Sequence, residues 1–324
     1  MKNLDKEVNV FLSKLDLSGK NVVCGFSGGA DSTALLYILS KKQKKFGFNL
    51  SSVFFNHGNS PIAENEPLME KFCSDFCKKY EIPFSIVPLS DKKFLGQGWE
   101  STGRIGRKGF FNDSDYDFVF LGHHSDDQDE TTMIQFMRGC GLGASGMVDF
   151  DGFFCRPFLN IEKTDIYDFL WENNVGWIED PTNKNSDFTR NFWRNEGLPL
   201  IKKHYPYYKK SLKNFRKYNL ELNTLAFDLA VEDGLYDLKN TGKLNFSKIK
   251  DSDLRIKNLL ITFLSSSGKK IEDKLLEQKI KDFRANNFVV FSHKNLEITI
   301  KDNNIFVVGL DLLVQNKGSL KNVL

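Results

Sequence analysis

Residues 22–33 read Val22-Val23-Cys24-Gly25-Phe26-Ser27-Gly28-Gly29-Ala30-Asp31-Ser32-Thr33, and this stretch decides the fold. The apolar run 22–26 is short enough for a buried strand, and the apolar residues among 34–39 predict a helix that enters a core. The glycine pair between them permits a tight turn and close approach of another group to the backbone. The first amides of a helix have no internal partners and lie at its positive end, so the stretch predicts a phosphate site.

The same stretch also indicates which class of phosphate-binding loop is present. A Gly-Gly pair alone is most often an ordinary strand-to-helix turn, but the full string is more specific. It is neither the Walker pattern G-x-x-x-x-G-K-[ST] nor the dinucleotide pattern G-x-G-x-x-G. It resembles the pyrophosphate loop of the N-type ATP pyrophosphatases, which cleave ATP between the α and β phosphates. That resemblance implies that the following residues bind ATP: Phe26, Ser27, Gly28, Gly29, Ala30, Asp31, Ser32 and Thr33.

Short apolar runs and helical stretches alternate along the N-terminal part of the chain. This alternation predicts an α/β fold with a mainly parallel, doubly wound sheet. The resemblance of the 22–33 stretch implies that the fold is of the adenine nucleotide alpha hydrolase type. Ligands of such sheets bind at the carboxyl ends of the strands, so the polar residues after each strand are candidates for the site. The predicted strands are 21–26, 50–56, 83–88, 117–122 and 153–156.

Composition and charge set limits on the class of protein. The chain has 324 residues, 40% of them hydrophobic, and a net charge of +3, so any nucleic-acid binding must come from local basic clusters. Its five cysteines include no C-x-x-C pair, which favours a reduced protein without structural zinc. The polar N-terminus and the lack of an 18-residue apolar run predict a cytoplasmic location and no membrane segment.

Polar residues follow the second and third predicted strands. Asn56 and His57 end the second strand and are expected to line the nucleotide site, although a histidine in such a loop is as often only hydrogen-bonded. Arg104 lies in the helix after the third strand, where a guanidinium suits phosphate charge. The alternative for Arg104 is a solvated helix face with charges at i,i+3 and i,i+4 spacing.

The densest polar string, residues 121–132, follows the fourth strand and begins a helix. We expect Ser125 or Asp126 to be its N-cap. Asp127 and Glu130 are three residues apart and therefore face one side of that helix. A buried carboxylate pair needs a cation, and two occupants fit: Mg²⁺ carried by ATP, or the ammonium of a cationic substrate. A zinc site is disfavoured because the histidine pair lacks the H-E-x-x-H spacing.

Taken together, these motifs resemble those of the tRNA(Ile)-lysidine synthetases, in their short form. The resemblance covers roughly residues 20–200, and its most specific parts are the 123–131 string and the Trp-x-Glu-Asp-x-x-Asn string at 177–183. The remaining matching segments are Ser27–Ser32, Asn56-His57-Gly58, Glu100 with Arg104 and Arg107, Arg138-Gly139, Gly146-Met147, Arg156-Pro157, and Arg190-Asn191 with Arg194.

The resemblance implies a reaction and a role for each site residue. Lysine is joined to C2 of the wobble cytidine (position 34) of a CAU-anticodon tRNA(Ile), through an adenylated cytidine, and ATP yields AMP and pyrophosphate. Asp31 is expected to hold pyrophosphate and Mg²⁺, and Arg104 to neutralise phosphate charge. Asp127 and Glu130 are expected to hold the substrate L-lysine, one of them accepting its proton, and His123 to orient the intermediate.

Residues 201–220 predict a tRNA contact independently of the resemblance. They contain seven Lys or Arg, five aromatic residues and no acid, which is a pattern of cations for phosphates and rings for stacking. A solvated helix face near a domain junction is the alternative. The predicted tRNA-binding residues are Arg190, Arg194, Lys209, Lys210 and Lys213.

Two domains are expected. The catalytic domain covers residues 1–215, and a smaller, mostly helical tRNA-recognition domain with a terminal β-hairpin covers 216–324. A homodimer is left open.

Three other functions are weighed against ligation of lysine. Thiolation of tRNA by a related ATP pyrophosphatase needs C-x-x-C or paired catalytic cysteines, and this chain lacks C-x-x-C. An amidotransferase-type synthetase needs a glutaminase domain or partner. A non-catalytic ATP- or tRNA-binding module is disfavoured because the 27–32 and 123–130 strings are intact.

Overall fold

A parallel five-stranded sheet forms the centre of the N-terminal part of the chain. The computed structural model describes residues 4–56, 66–89, 99–140, 144–179, 189–267, 271–293 and 295–309. The strands run in the order β3-β2-β1-β4-β5, all parallel. They are β1 (Asn21–Gly25), β2 (Asn49–Asn56), β3 (Phe84–Pro88), β4 (Phe118–Phe120) and β5 (Phe154–Cys155).

The strand order places the switch in winding direction between β1 and β4. Val22 of β1 pairs with Leu50 of β2 on one side and with Phe118 of β4 on the other. Chain connections leave β1 and β4 in opposite directions, which opens a crevice at their carboxyl ends, where such sheets bind ligands. The loop after β1 and the polar string after β4 therefore meet at this crevice.

Helices cover both faces of the sheet, as the sequence predicts. The side chains of Val22 and Val23 point to opposite faces of the sheet. Val22 lies in a core that includes Leu35 and Phe76. Val23 lies in a core that includes Phe111 and Val119. The doubly wound parallel fold is confirmed. The covering helices are α1 (Leu4–Leu12), α2 (Ala30–Phe46), α3 (Glu66–Lys79), α4 (Trp99–Asn112), α5 (Ser125–Met137) and α6 (Lys163–Glu172).

An irregular helical segment follows the sheet. A π-helical turn, Trp193–Gly197, interrupts it, and such turns are frequent at functional sites. A Cβ on Gly197 would lie 2.5 Å from the Trp193 ring, so only glycine fits beneath this buried tryptophan. The helices around the turn are α7 (Thr189–Phe192), α8 (Leu198–His204) and α9 (Tyr208–Glu232).

Two compact units are present, 1–216 and 217–324. The second has its own core, in which helices pack on a four-stranded antiparallel sheet of order β6-β9-β8-β7. Its elements after α9 are α10 (Leu235–Thr241), β6 (Lys243–Asn245), α11 (Asp253–Ser266), α12 (Asp273–Asn286), β7 (Phe288–His293), β8 (Leu296–Lys301) and β9 (Asn304–Val308).

The sheet of the second unit is larger than the predicted terminal hairpin. β6 joins it by pairing with β9, Leu244 opposite Ile305. A three-residue strand with one buried side chain, Leu244, carries no periodic signal, which is why the sequence did not predict it. Within the described residues, no helix has the length and apolar character that crossing a membrane requires.

Candidate active site

The loop after β1 is closed by the side chain of Ser32. Its hydroxyl oxygen accepts a hydrogen bond from the Ser27 amide at 3.2 Å and donates one to the Gly29 carbonyl at 3.1 Å. Gly28 has φ +81°, and a Cβ there would lie 3.2 Å from Cys73 Sγ. The left-handed backbone angle therefore favours glycine, as the sequence indicates, and a side chain would also crowd the Cys73 sulfur.

The residues of this loop differ in what they can offer a ligand. Ser27 is exposed and Asp31 is partly exposed. Phe26, Ala30 and Thr33 are buried, and the Phe26 ring packs 5.3 Å from the ring of Phe76. The Phe26 amide donates to the Val53 carbonyl and the Thr33 amide to the Gly29 carbonyl, so neither position offers ATP an exposed side chain or an uncommitted amide. At Ala30, the predicted contact with ATP is limited to the main chain.

The N-cap of α5 is His124, so the expected cap at Ser125 or Asp126 is wrong. His124 Nδ1 accepts a hydrogen bond from the Asp126 amide at 3.2 Å, and Asp127 Oδ2 accepts one from the His124 amide at 2.9 Å. An imidazole nitrogen serves here in place of the hydroxyl or carboxylate that usually caps a helix. This cap fixes the carboxylate of Asp127 at the start of the helix.

The buried side of α5 is polar. Asp127, Gln128, Asp129 and Glu130 are all buried, and Glu130 has no exposed surface. Buried carboxylates are stable only when cations or donors surround them. The structure supplies those cations from residues far along the chain.

Glu130 is held by two arginines that were predicted to contact tRNA. Arg190 Nε donates to Glu130 Oε2 at 2.9 Å, and Arg194 Nε donates to Glu130 Oε1 at 2.7 Å. Arg194 also reaches Asp127 Oδ1 at 3.2 Å. The sequence correctly places Asp127 and Glu130 on one side of a helix, but it does not reveal that guanidinium groups face them.

The two carboxyl groups of this cluster have opposite pKa shifts. Burial disfavours the charged form of Asp127, but the charges of His124, Arg190 and His123 outweigh burial and lower its pKa from 3.8. For Glu130, burial is the largest effect and the neighbouring Asp127 charge adds to it, so its pKa is raised from 4.5 despite the arginines. Asp127 is therefore the firmly ionised member, and Glu130 is the better proton acceptor.

Asp31 is bound by a lysine that the sequence did not single out. Lys163, the first residue of α6, donates to both carboxylate oxygens of Asp31, at 2.6 and 2.7 Å. His124 Nε2 lies 3.7 Å from Asp31 Oδ1 and 3.6 Å from Asp127 Oδ2. His124 thus stands between the loop carboxylate and the carboxylates of α5.

Two further ion pairs join α5 to the start of α9. Lys209 Nζ donates to Asp126 Oδ1 at 2.7 Å and also contacts Glu162, while Arg216 donates to Asp129 Oδ1 at 2.7 Å. The ammonium of Lys209, predicted to contact tRNA, is therefore engaged within the protein. Lys210 and Lys213 are exposed.

Several predicted residues are less completely described. His57, Gly58 and residues 180–183 lie outside the described residues, and so do the side chains of Glu100 and Arg104, although Arg104 belongs to α4. Asn56 ends β2 and its amide donates to Glu70 at 3.2 Å. Ile178 donates its amide to the Gly28 carbonyl at 2.9 Å, which brings the 177–179 segment to the loop.

The end of the glycine-rich loop after α5 is fixed by two glutamines. Gln128 exchanges hydrogen bonds with the main chain of Met147, both at 2.7 Å, and Gln135 Oε1 accepts from the Gly146 amide at 2.9 Å. Gly146 has φ +78°, and a Cβ there would lie 2.6 Å from Gln128 Oε1. The Gly146-Met147 match is thus explained by packing on α5.

The donor set fits ATP with Mg²⁺. The first-turn amides of α2 and the exposed Ser27 can receive phosphate oxygens. Within the described ranges no group of three or more His, Cys, Asp or Glu could hold a metal. A single carboxylate such as Asp31 suits Mg²⁺, which takes most of its ligands from water and substrate phosphates.

Comparison with known proteins assigns the family. Residues 1–201 match the family model of the PP-loop domain. The tRNA(Ile)-lysidine synthase of Wigglesworthia glossinidia brevipalpis is 31% identical over 340 residues, covering 94% of this chain and 80% of that protein. The chain belongs to the tRNA(Ile)-lysidine synthase family. The predicted resemblance is confirmed.

Other members of the lysidine synthase family differ in how much of their length is matched. The protein of Petrotoga mobilis is 31% identical over 67% of this chain and 72% of its own length. That of Actinobacillus pleuropneumoniae serotype 3 is 30% identical, and the chain covers only 51% of it.

A solved structure outside the lysidine synthase family has the same fold. The U34-tRNA thiolase NcsA of Methanococcus maripaludis, solved with its [4Fe-4S] cluster, superposes with a TM-score of 0.55 at 20% identity, covering 67% of this chain and 78% of that one. The likeness is one of fold alone. Cys24, Cys73 and Cys155 are buried here, and burial raises the pKa of each thiol, which makes them poor nucleophiles.

Proposed function

We propose that this chain joins lysine to C2 of the wobble cytidine, position 34, of a CAU-anticodon tRNA(Ile), with ATP converted to AMP and pyrophosphate. The observation that carries the proposal is the meeting of the phosphate loop and the buried carboxylates at one crevice. His124 lies 3.7 Å from Asp31 in the loop helix and 3.6 Å from Asp127 in α5. The names of the relatives supply the identity of the reaction.

The first step is adenylation of the cytidine. The C2 oxygen attacks the α-phosphorus of ATP, and the bond to pyrophosphate breaks. The main-chain amides between Gly28 and Ser32 hold the leaving pyrophosphate, and Asp31 would hold Mg²⁺. Bound Mg²⁺ supplies neutralisation of the phosphate charge. Arg104, in α4, adds a second cation for the charge that develops at phosphorus.

The second step is displacement of AMP by lysine. An amine of lysine attacks C2, the C2–O bond breaks and AMP leaves with the oxygen. Asp127 and Glu130 hold the lysine, and Glu130, whose pKa is raised by burial, takes the proton that the amine loses. His123 orients the adenylated cytidine.

Lysine binding at these carboxylates requires a rearrangement of the arginines. Arg190 and Arg194 contact Glu130, and both also contact Asp127. Two guanidinium groups and two carboxylates balance in charge, so an added ammonium is favourable only after one guanidinium withdraws. Arg194 lies on the π-helical turn and is 34% exposed, which makes it the arginine that can turn towards a tRNA phosphate.

The tRNA is bound by the first unit through Arg194, Arg190, Lys210 and Lys213, and the second unit reads further parts of the tRNA. Lys209 has a supporting role, since its ammonium is engaged by Asp126 and Glu162. The substrate places the reaction in the cytoplasm.

The experiment that tests this function measures the conversion of ATP to AMP. Purified protein is incubated with Mg²⁺-ATP and unmodified CAU-anticodon tRNA(Ile), with and without lysine, and AMP is measured. We expect AMP to form only when the tRNA is present, and its continued release to require lysine. AMP formation that is indifferent to tRNA would contradict the proposal.

A further inference from the structure

The contact between Lys163 and Asp31 joins two helix starts across the crevice. Asp31 is the second residue of α2, and Lys163 is the first residue of α6, 132 positions later in the chain. Each side chain is 27% exposed, so the pair is accessible to a ligand from solvent. Lys163 Nζ also lies 5.1 Å from the centre of the Tyr167 ring, which guides the side chain over its own helix.

The position of Lys163 is fixed by the core. Ile161, Ile166 and Leu170 are buried around the start of α6. The Ser125 amide donates to the Ile161 carbonyl at 3.0 Å, which ties the start of α5 to the residues just before α6. The backbone at Lys163 is therefore anchored beside the crevice, so its side chain extends from a fixed position.

A lysine in this position is unfavourable for the helix itself. The N-terminus of a helix carries partial positive charge, and a cation there typically loses about 0.3–1 kcal/mol relative to a neutral or acidic residue. The residue before it, Glu162, is the acid expected at such a place. The local cost of Lys163 indicates that its charge serves something beyond α6.

Charge balance identifies the ligand. ATP brings several negative charges to a loop that already contains the Asp31 carboxylate, and that carboxylate repels phosphates unless a cation intervenes. Asp31 would serve as a ligand of the Mg²⁺ that ATP carries, and this would release the Lys163 ammonium to bind phosphate oxygens. Lysine is well suited to this task because its ammonium is a compact charge on a flexible stem.

We propose that Lys163 is an ATP-phosphate ligand that is held on Asp31 until Mg²⁺-ATP binds. This inference rests on the ATP use in the proposed function and deepens it, because it adds a residue to the nucleotide site. Lys163 contacts the triphosphate through its charge, and its loss weakens ligands in proportion to their phosphates.

The test measures binding as well as turnover. Mg²⁺-ATP and AMP are titrated calorimetrically into the full-length protein and its K163M and K163R variants. We expect K163M to weaken Mg²⁺-ATP binding at least tenfold and AMP binding less than twofold, and K163R to restore most of the ATP affinity. K42M is the matched control, since Lys42 pairs with Asp5 at 2.7 Å at the other end of α2, and we expect it to bind both nucleotides normally.

Each outcome decides the question. The proposal is overturned if K163M binds Mg²⁺-ATP as the wild type does, or if it loses affinity for ATP and AMP equally. Lys163 would then only stabilise the contact between α2 and α6. If the wild type binds no Mg²⁺-ATP, both this proposal and the proposed function fail. If K163M behaves as expected but no lysine reaches the tRNA, the role of Lys163 stands and the proposed function fails.

Discussion

Nε of Arg194 lies 2.7 Å from Oε1 of Glu130, and the Glu130 side chain has no exposed surface. A carboxylate without solvent contact depends on its protein partners for stability. Here the partners belong to a segment that was expected to bind tRNA. The pair therefore links the interior of the first unit to a partly exposed guanidinium that we propose to be a tRNA contact.

Removing the guanidinium should destabilise the first unit. We expect R194M to lower the free energy of unfolding by about 3–5 kcal/mol, because the buried Glu130 then keeps Arg190 as its only ionic partner among the described residues. Tryptophan fluorescence during urea unfolding is the suitable probe, since all four tryptophans lie at positions 99–193 in this unit.

The control for that variant is an exposed ion pair in the same unit. Lys20 lies 3.3 Å from Asp117, and both side chains are more than a third exposed. K20M should change stability by about 0–1 kcal/mol. Equal effects of R194M and K20M would show that Glu130 does not depend on Arg194.

The lowered pKa of Asp127 predicts how the stability of the protein changes with pH. Its pKa in the folded protein is lowered below 3.8, so its contribution to stability is present above that ordinary value and is lost as the pH falls through the depressed pKa. The charge of Glu130 has the opposite effect on the pH dependence of stability, because the pKa of Glu130 is raised above 4.5 in the folded protein. The wild type should be more stable than D127N at pH 7, and the difference should shrink below about pH 4. A difference that stays constant down to pH 2 would refute the assigned shift.

Gly122, the second residue of the polar string that follows β4, should not tolerate a side chain. A Cβ at this position would lie 2.9 Å from the main-chain carbon of Asp31, so alanine must displace the start of α2. We expect G122A to cost about 1–3 kcal/mol of stability and to weaken Mg²⁺-ATP binding. G109A, in α4, meets nothing within 4 Å and should gain up to about 1 kcal/mol in stability. If G122A binds ATP normally, the packing of Gly122 on the loop helix has no role in the site.

The exposed lysines at the start of α9 should set the salt dependence of tRNA binding. The double variant K210E/K213E should weaken binding and reduce the slope of log affinity against log salt by about 2, one for each lost phosphate contact. Lys44, exposed in the last turn of α2, is the control, and K44E should leave the slope unchanged. An unaltered slope in the double variant would remove these two lysines from the interface.

The sequence predicts local features of this site well and distant partners poorly. The strand, glycine turn and helix at 22–33 follow from hydrophobic pattern and backbone freedom, and so does the one-sided placement of Asp127 and Glu130. The two arginines that bind Glu130 lie 60 and 64 residues away, and the lysine that binds Asp31 lies 132 residues away, so no local periodicity points to them. Lys163 does depart from one local preference, because a cation is unfavourable at the first residue of a helix such as α6.

Transfer of lysine to tRNA tests the central claim most directly. Purified protein, Mg²⁺-ATP, isotopically labelled lysine and unmodified CAU-anticodon tRNA(Ile) are mixed, and the tRNA is digested and analysed by mass. The account predicts a lysine-sized addition on the anticodon cytidine, with one AMP formed for each lysine transferred. An unmodified cytidine, under conditions where the protein binds both ATP and the tRNA, would contradict it.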